Sequence, residues 1–385
     1  MHTPYLAGCG MTHFGTSPVE ESSLIIEAIT EALTNSAEIT QGRIHNIDDI
    51  EAIVFANVTT SRNGASQNLT SAWLASLLQT TIPIIRTEAS CAGGGKALWL
   101  ARQLPYKNIL VLAFDNVLYA DRSTSTTLIG TAADAKQEQA IGAIFPALNA
   151  LFAQRYMKEY GVTPDDLALV AYKNHQNAYK NPKAAFYGKE VSLEKIKTSP
   201  IIADPLRVHD CSFTTHGAVA VVLTEEKTDL RLAGSGFGID AIAVTERPSL
   251  TSWPATIQAA KQAYTQAAIT AQDIAFAEVH DAYTITEIMA LDDLGFCKPG
   301  EGMYFARENK TGRSGDLPIN TSGGLKARGH PISPTGLAQV YEISQQMRNN
   351  AGDRQIHPKT PWAITHNVGG VGGIVTVHVF EYCSL

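Results

Sequence analysis

Thr87-Glu88-Ala89-Ser90-Cys91-Ala92-Gly93-Gly94-Gly95-Lys96 is the stretch that decides how this chain is read. Ile82, Ile84 and Ile85 lead into it around Pro83 and predict a short buried strand. Ala97-Leu98-Trp99-Leu100-Ala101-Arg102 leaves it as a predicted helix. Cys91 is thereby placed on a sharp strand-to-helix turn beside a helix N-terminus. There, unpaired backbone N–H groups and the helix dipole favour an anion over a neutral thiol. A stabilisation of up to ~2 kcal/mol lowers a thiol pKa by roughly 1.5 units. The three glycines let backbone and ligand approach without a Cβ in the way. Two readings stand side by side: an activated nucleophile, and a buried core cysteine next to a Gly-rich turn.

The 385-residue length predicts two domains or two halves. With 44% hydrophobic and 17% charged residues, the composition is that of an ordinary soluble globular protein. A net charge of -7 argues against nucleic-acid or membrane-surface binding through bulk charge. The five cysteines (Cys9, Cys91, Cys211, Cys297, Cys383) form no C-x-x-C pair, which suits a reducing compartment and predicts no metal site. No basic-then-apolar leader and no membrane-spanning window is evident, and Cys383-Ser384-Leu385 is neither a prenylation box nor a peroxisomal signal. The expected location is the cytoplasm.

Apolar residues at helical spacing predict a helix over Ser22–Leu33, then a buried strand over Ala52–Ala56 and a second helix over Asn68–Leu78. The Cys91 unit follows, then a strand over Ile109–Ala113. Strands alternating with helices predict parallel pairing and an α/β layered fold. From about Tyr119 to Pro205 the hydrophobic strands vanish, and helices are predicted over Ile144–Tyr160 and Asp165–Tyr179. This reads as an insertion lying over the sheet. Its lysines (Lys173, Lys180, Lys183, Lys189, Lys195, Lys197) are either phosphate contacts or, as is commoner, a solvated face. Ala218–Leu223 restores a buried strand, preceded by Cys211, read as core, and His216, read as structural.

The second half repeats the first. A helix over Ala255–Ala268, then Ile269-Thr270, Asp273-Ile274 and a strand over Ala275–Val279 parallel the first helix, Ile39-Thr40, Asp49-Ile50 and Ala52–Ala56. Asn320-Thr321-Ser322-Gly323-Gly324-Leu325-Lys326-Ala327-Arg328-Gly329-His330-Pro331 is the counterpart of the Cys91 turn. A helix over Thr335–Met347 and a strand over Trp362–Thr365 follow, and Gly372–Phe380 mirrors Gly217–Leu223. The expected units are 1–118, the first part of the N-terminal half; 119–205, an inserted loop or cap domain; 206–228, the last strand of that half; and 229–385, the C-terminal half. Two such halves packed face to face bring equivalent loops to one site. Val279-His280-Asp281-Ala282-Tyr283, Gly329-His330-Pro331 and His366-Asn367-Val368-Gly369-Gly370 are then predicted to meet Cys91, supplying thiolate, proton acceptor and oxyanion donors for acyl transfer. Gly95-Lys96 is not a phosphate loop, because Ala97 replaces the required Ser/Thr, and the glycines after Val368 precede a strand rather than a Rossmann helix.

Ala-Ser-Cys91-Ala-Gly-Gly-Gly, Val-His280-Asp-Ala-Tyr, Asn320-Thr-Ser-Gly-Gly-Leu-Lys-Ala-Arg-Gly-His330-Pro and His366-Asn-Val-Gly-Gly together resemble the thiolase superfamily, over essentially the whole chain. The likeness is to the sterol-carrier-type and archaeal acetyl-CoA acetyltransferase branch. It implies a five-layered α-β-α-β-α fold of two matching halves, with a loop domain after the third N-terminal strand. It also implies acyl-CoA and coenzyme A as substrates, with no tightly bound cofactor. Cys91 would carry the acyl group, His330 would be its base, and His280 would hold the thioester oxygen. Oxyanion-hole positions then fall to Cys91, His280, His330, Gly369 and Gly370. Homodimers or tetramers are usual in the family, and archaeal-type relatives work with a zinc-ribbon/OB-fold partner protein.

The chain departs from that pattern in three places. Thiolases with a second catalytic cysteine carry it in a Cys-x-Gly loop, where this chain has Asn367, leaving His366 and Asn367 as the acid/base-loop candidates. Sterol-carrier-type enzymes keep a cysteine where Ala282 stands, and Ser333 and Pro334 stiffen the loop after His330. Two alternatives to carbon–carbon chemistry are acyl transfer to a different acceptor and a non-catalytic acyl-CoA-binding subunit. A β-ketoacyl synthase is the neighbouring family, and Gly329-His330-Pro331 counts against it.

Overall fold

The computed structural model describes residues 4–58, 61–62, 65–66, 68–116 and 122–383. The expected 118/119 boundary and the last two residues lie outside them. Nine strands carry the fold: β1 (Tyr5–Met11), β2 (Ala52–Ala56), β3 (Ile84–Thr87), β4 (Asn108–Asp115), β5 (Gly217–Thr224), β6 (Leu230–Ile239), β7 (Ile274–Glu278), β8 (Trp362–Gly369) and β9 (Ile374–Tyr382). Their hydrogen-bonded order is β3-β2-β4-β5-β1-β6-β9-β8-β7. Between β1 and β6 a single registered pair, Tyr5 opposite Arg231, joins the two halves. Pairing is parallel for β3/β2/β4 and β7/β8 and antiparallel elsewhere, so the sheet is mixed rather than parallel throughout.

Each half follows the same path. In the first, β2 pairs with β4 in parallel, β4 with β5 and β5 with β1 antiparallel. In the second, β7, β8, β9 and β6 repeat those relations in the same sequence. A parallel bridge from Ala277 to Ile319 occupies the place that β3 holds beside β2.

The helices include α1 (Glu21–Ile39), α2 (Thr70–Leu78), α3 (Gly93–Ala101), α4 (Phe145–Tyr160), α5 (Pro164–Tyr179), α6 (Pro254–Ala267), α7 (Thr284–Asp293) and α8 (Thr335–Met347), of which α1, α3, α6 and α8 complete five layers with the strands of the two halves. α1 covers the outer face of β1 and β5, and α6 covers that of β6 and β9. Between the two halves of the sheet, α3 and α8 pack on each other and on strands of both halves. α8 is therefore buried nearly all round, and β2 and β5 are buried along their whole length, as strands covered on both faces should be.

The sequence reading missed β1 and β6, because their glycines hide the alternation of a strand. Those glycines are what the outer layers rest on. Gly234, Gly236 and Gly238 share one face of β6, and a Cβ on them would strike the carbonyl oxygens of Ala263, Ala259 and Ala255 on α6. Gly8 and Gly10 stand in the same relation to Ala32 and Ala28 on α1. A spacing of two along the strand thus meets a spacing of four along the helix.

A second repeated device precedes β2 and β7. Asn46 with Asp49, and Thr270 with Asp273, form matching capping boxes on short helical turns. The counterpart of Thr270 is therefore Asn46, not Thr40. The first helix also runs on to Ile39.

Between β4 and β5 lie α4, α5 and shorter elements, where the insertion was expected. Of Lys173, Lys180, Lys183, Lys189, Lys195 and Lys197, three form ion pairs: Lys173 with buried Glu287 (2.6 Å), Lys183 with Glu31 (2.8 Å) and Lys197 with Asp165 (2.9 Å). Among the described residues no helix is long and apolar enough to cross a membrane.

The glycine–carbonyl contacts are backbone against backbone and have no flexible side chain to yield. Gly236→Ala is expected to cost about 1–3 kcal/mol through overpacking, read as a lowered midpoint of denaturant unfolding. Gly130→Ala, with nothing within 4 Å, is expected to leave the midpoint in place.

Candidate active site

The turn at Cys91 is sharper than a loop-to-helix junction requires. Ser90 has φ 50, a left-handed conformation costly for a residue with a Cβ, and a single 3-10 turn, Ser90–Ala92, feeds α3. Ile332, two residues beyond His330, is β-branched and also left-handed (φ 57). Both line one cavity of about 610 Å³ together with Cys91, His280, His330 and Gly370. The structure thus brings together the predicted cysteine, both predicted histidines and one of the two predicted glycines. A cleft of about 710 Å³ between α5 and residues 306–314 shares none of these residues.

Every group at the site is neutral in its resting form. Burial pushes the Cys91 thiol up to about 11; Asp115 adds to the shift, while Ser90 and the N–H groups of Gly370 and Cys91 itself oppose it. Burial outweighs the expected depression, and the amides of the first turn of α3 are engaged by the second half. Gly94 N–H donates to Ser333 C=O (3.0 Å) and Gly95 N–H to Asn367 Oδ1 (3.3 Å). The three glycines accordingly admit the second half of the protein rather than a ligand. A Cβ at Gly94 would lie 2.7 Å from the Ser333 carbonyl, and one at Gly95 would strike Thr376.

The two imidazoles stand edge to face, centroids 5.7 Å apart. Val368 N–H and the Asn367 amide each reach His280 Nδ1 at 3.3 Å, so a neutral ring carries its proton on Nε2. Burial, reinforced by His330 and His366, holds His280 well below the usual imidazole range. His330 Nδ1 bonds Thr335 Oγ1 (2.7 Å), leaving Nε2 for the cavity, and burial together with Arg328 brings its pKa down to about 3.

The strand β8 runs to Gly369 rather than ending at Thr365, and this separates His366 from Asn367. Neighbouring residues of a strand face opposite sides. His366 faces outward, with Nε2 on Thr256 Oγ1 (3.0 Å) of α6, and does not line the cavity. Asn367 faces inward, and its amide donates to Cys91 C=O (3.1 Å) while its oxygen takes the Gly95 N–H. Of the two acid/base-loop candidates, one is outside the site and the other clamps the nucleophile's backbone. Gly369 packs on the Ala89 carbonyl, behind the cavity wall.

Sequence reasoning passed over three residues that set this geometry. Asp115, buried at the end of β4, accepts from Ser333 N–H (2.8 Å) and Val58 N–H (2.7 Å). Thr335 orients His330. His378 bridges Ser235 Oγ (2.9 Å) and Gly95 C=O (3.0 Å). Only Thr335, five residues after His330, carried a local signal. Ala282 lines the cavity, and Cys91 is the one thiol among the described lining residues. All five cysteines are free, and no His/Cys/Asp/Glu group suited to a metal occurs among the described residues.

Known proteins are similar to this chain in sequence and in fold. Residues 5–227 match the thiolase N-terminal domain and residues 236–382 the thiolase C-terminal domain-like family. The chain is 39% identical to an acetyl-CoA acetyltransferase of Methanothermobacter thermautotrophicus, covering 86% of this chain and 89% of that protein. It is 36% identical to the Methanocaldococcus jannaschii acetyl-CoA acetyltransferase, covering 98% of each. It is 30% identical to human sterol carrier protein 2, covering 80% of this chain and 60% of that one. Among solved structures, an Ltp2-ChsH2(DUF35) aldolase superposes with a TM-score of 0.80 at 21% identity, covering 100% of this chain and 99% of that one. The acetyl-CoA acetyltransferase of Syntrophomonas wolfei superposes with 0.71 at 16%, covering 100% of each. The chain belongs to the thiolase family.

Proposed function

We propose that this chain is a thiolase-type C-acyltransferase that makes or cleaves 3-ketoacyl-CoA through an acyl-Cys91 intermediate. The observation that carries the reading is the convergence of the Cys91 thiol, the Gly370 N–H directed at it, and the His280 and His330 rings in one cavity. His330, donating Nδ1–H to Thr335, takes the thiol proton on Nε2 as Sγ attacks the thioester carbonyl. The Gly370 and Cys91 N–H groups meet the oxyanion. Coenzyme A leaves with the proton returned from His330. In the carbon–carbon step, His280 Nε2–H polarises the thioester oxygen of a second acyl-CoA and His330 removes its α-proton; the resulting carbanion attacks the acyl-Cys91 carbonyl, the carbon–sulfur bond breaks, and the released Cys91 sulfur takes back the proton from His330. Asn367 serves as a clamp in place of a second cysteine.

No lysine or arginine is among the described residues lining the cavity, and Ile144 and Ile202 at its edge are exposed. Both features support a zinc-ribbon/OB-fold partner that covers the mouth and contacts the coenzyme A phosphates.

Three outcomes test the reading. Cys91→Ala is expected to abolish acyl-enzyme in intact-mass spectra after acetyl-CoA and to lower thiolysis of acetoacetyl-CoA roughly 10³-fold or more; unchanged thiolysis would overturn it. His330→Ala is expected to lose ~10²–10⁴-fold in acylation rate. His280→Ala is expected to acylate normally but lose ~10²–10³-fold in the carbon–carbon step, as separated by rapid-quench kinetics.

The thiol's upward shift fixes a further expectation. Only the thiolate reacts with iodoacetamide, so labelling of Cys91 should rise about tenfold per pH unit from neutrality towards its pKa of about 11. A plateau already reached near neutrality would show an activated resting thiolate instead.

A further inference from the structure

Arg247 lies between β6 and α6 and is only 9% exposed, yet its charge is met by no direct carboxylate contact among the described residues. Nη1 donates to the Val371 carbonyl, while Nε and Nη2 have no hydrogen-bond partner among those residues. The guanidinium stacks over the Phe152 ring at 6.0 Å. Two carboxylates act on it through space, Asp240 and Glu138. Glu138 spends its oxygens on Val244 N–H (2.7 Å) and Asp134 N–H (2.9 Å). A buried guanidinium with most of its donors idle is expensive and calls for a reason.

The reason is in what it holds. Val371 follows Gly370, which lines the cavity with Cys91 and whose N–H favours the thiolate there. The turn they share is closed by Gly373 N–H on Gly369 C=O (3.2 Å) and needs left-handed glycines at Gly370 (φ 63) and Gly372 (φ 94). A Cβ at Gly372 would lie 2.7 Å from Arg247 Nη1 and 2.8 Å from the Trp253 ring, so those side chains fill the space behind it. Arg247 makes the one side-chain hydrogen bond to residues 369–373 among the described residues. Glu138 also ties Val244, three residues before Arg247, to the segment whose next residue, Gln139, lines the cavity.

We propose that Arg247 is a positioning residue for the oxyanion turn: by holding the Val371 carbonyl it keeps Gly370 N–H aimed at the reacting sulfur and its acyl carbonyl. The mechanistic part rests on the acyl-Cys91 reading. The test compares Arg247→Met and Arg247→Lys with the unaltered chain by three readouts. In Arg247→Met, iodoacetamide labelling at fixed pH should slow several-fold, because the thiolate loses its amide donor. The infrared carbonyl band of ¹³C-acetyl-Cys91 should move to higher wavenumber as polarisation is lost. kcat should fall about tenfold or more while KM changes far less, and Arg247→Lys should recover part of each. A folded Arg247→Met protein with unchanged labelling, band and kcat overturns the inference. If Arg247→Met does not fold, Glu138→Gln and Arg247→Lys are read by the same band, and an unshifted band in both overturns it equally. Failure of the unaltered chain to form acetyl-Cys91 sinks the proposed function instead, and the labelling rate still decides the role of Arg247.

Discussion

The Cys91 turn belongs to one half of the molecule and most of its supports to the other. Asn367 holds the Cys91 carbonyl and the Gly95 N–H, Ser333 takes the Gly94 N–H, and His378 reaches the Gly95 carbonyl. Asp115 answers from the first half by capping Ser333 N–H. The whole arrangement depends on bare Cα atoms at Gly94 and Gly95, since α3 and the second half approach too closely for side chains. Fold duplication is what makes the interlock possible: it sets α3 and α8 back to back between the two halves of the sheet, with their leading loops side by side.

That interlock also settles the electrostatics. A free helix N-terminus favours a thiolate, but here the Gly94 and Gly95 amides donate to Ser333 and Asn367 instead of to the sulfur. Burial then dominates, and thiol and imidazoles all rest uncharged. A resting ion pair would have to be broken before the proton could be handed on. Neutral partners surrounded by fixed donors instead place stabilisation where charge develops during reaction.

Much of this was readable in the sequence, and the failures have physical causes. The Cys91, His280 and His330 motifs and the repeated strand–helix order carried over because each is marked by local composition. β1 and β6 were invisible because Gly8, Gly10, Gly234, Gly236 and Gly238 replace the apolar face that marks a strand. His366 was taken for a loop residue because β8 was ended four residues early; once the strand runs to Gly369, alternation alone turns it away from the site. Asp115 meets Ser333, and Arg247 meets Val371, across more than a hundred positions, and no window along the chain contains that information.

Asn367 shows most sharply how a motif can keep its place and change its work. Its amide offers both a donor and an acceptor, and it spends them on Cys91 C=O and Gly95 N–H while its nitrogen also lies 3.3 Å from His280 Nδ1. A cysteine at this position, with one weak donor on a short side chain, cannot make those contacts at once. Under the proposed function, Asn367 offers a rigid join between Cys91 and the His280 ring where a thiol would offer a mobile proton. On the proposed chemistry, proton transfer then rests with His330 alone among the described cavity-lining residues. Its orientation by Thr335 and the strained Ile332 turn becomes correspondingly more important.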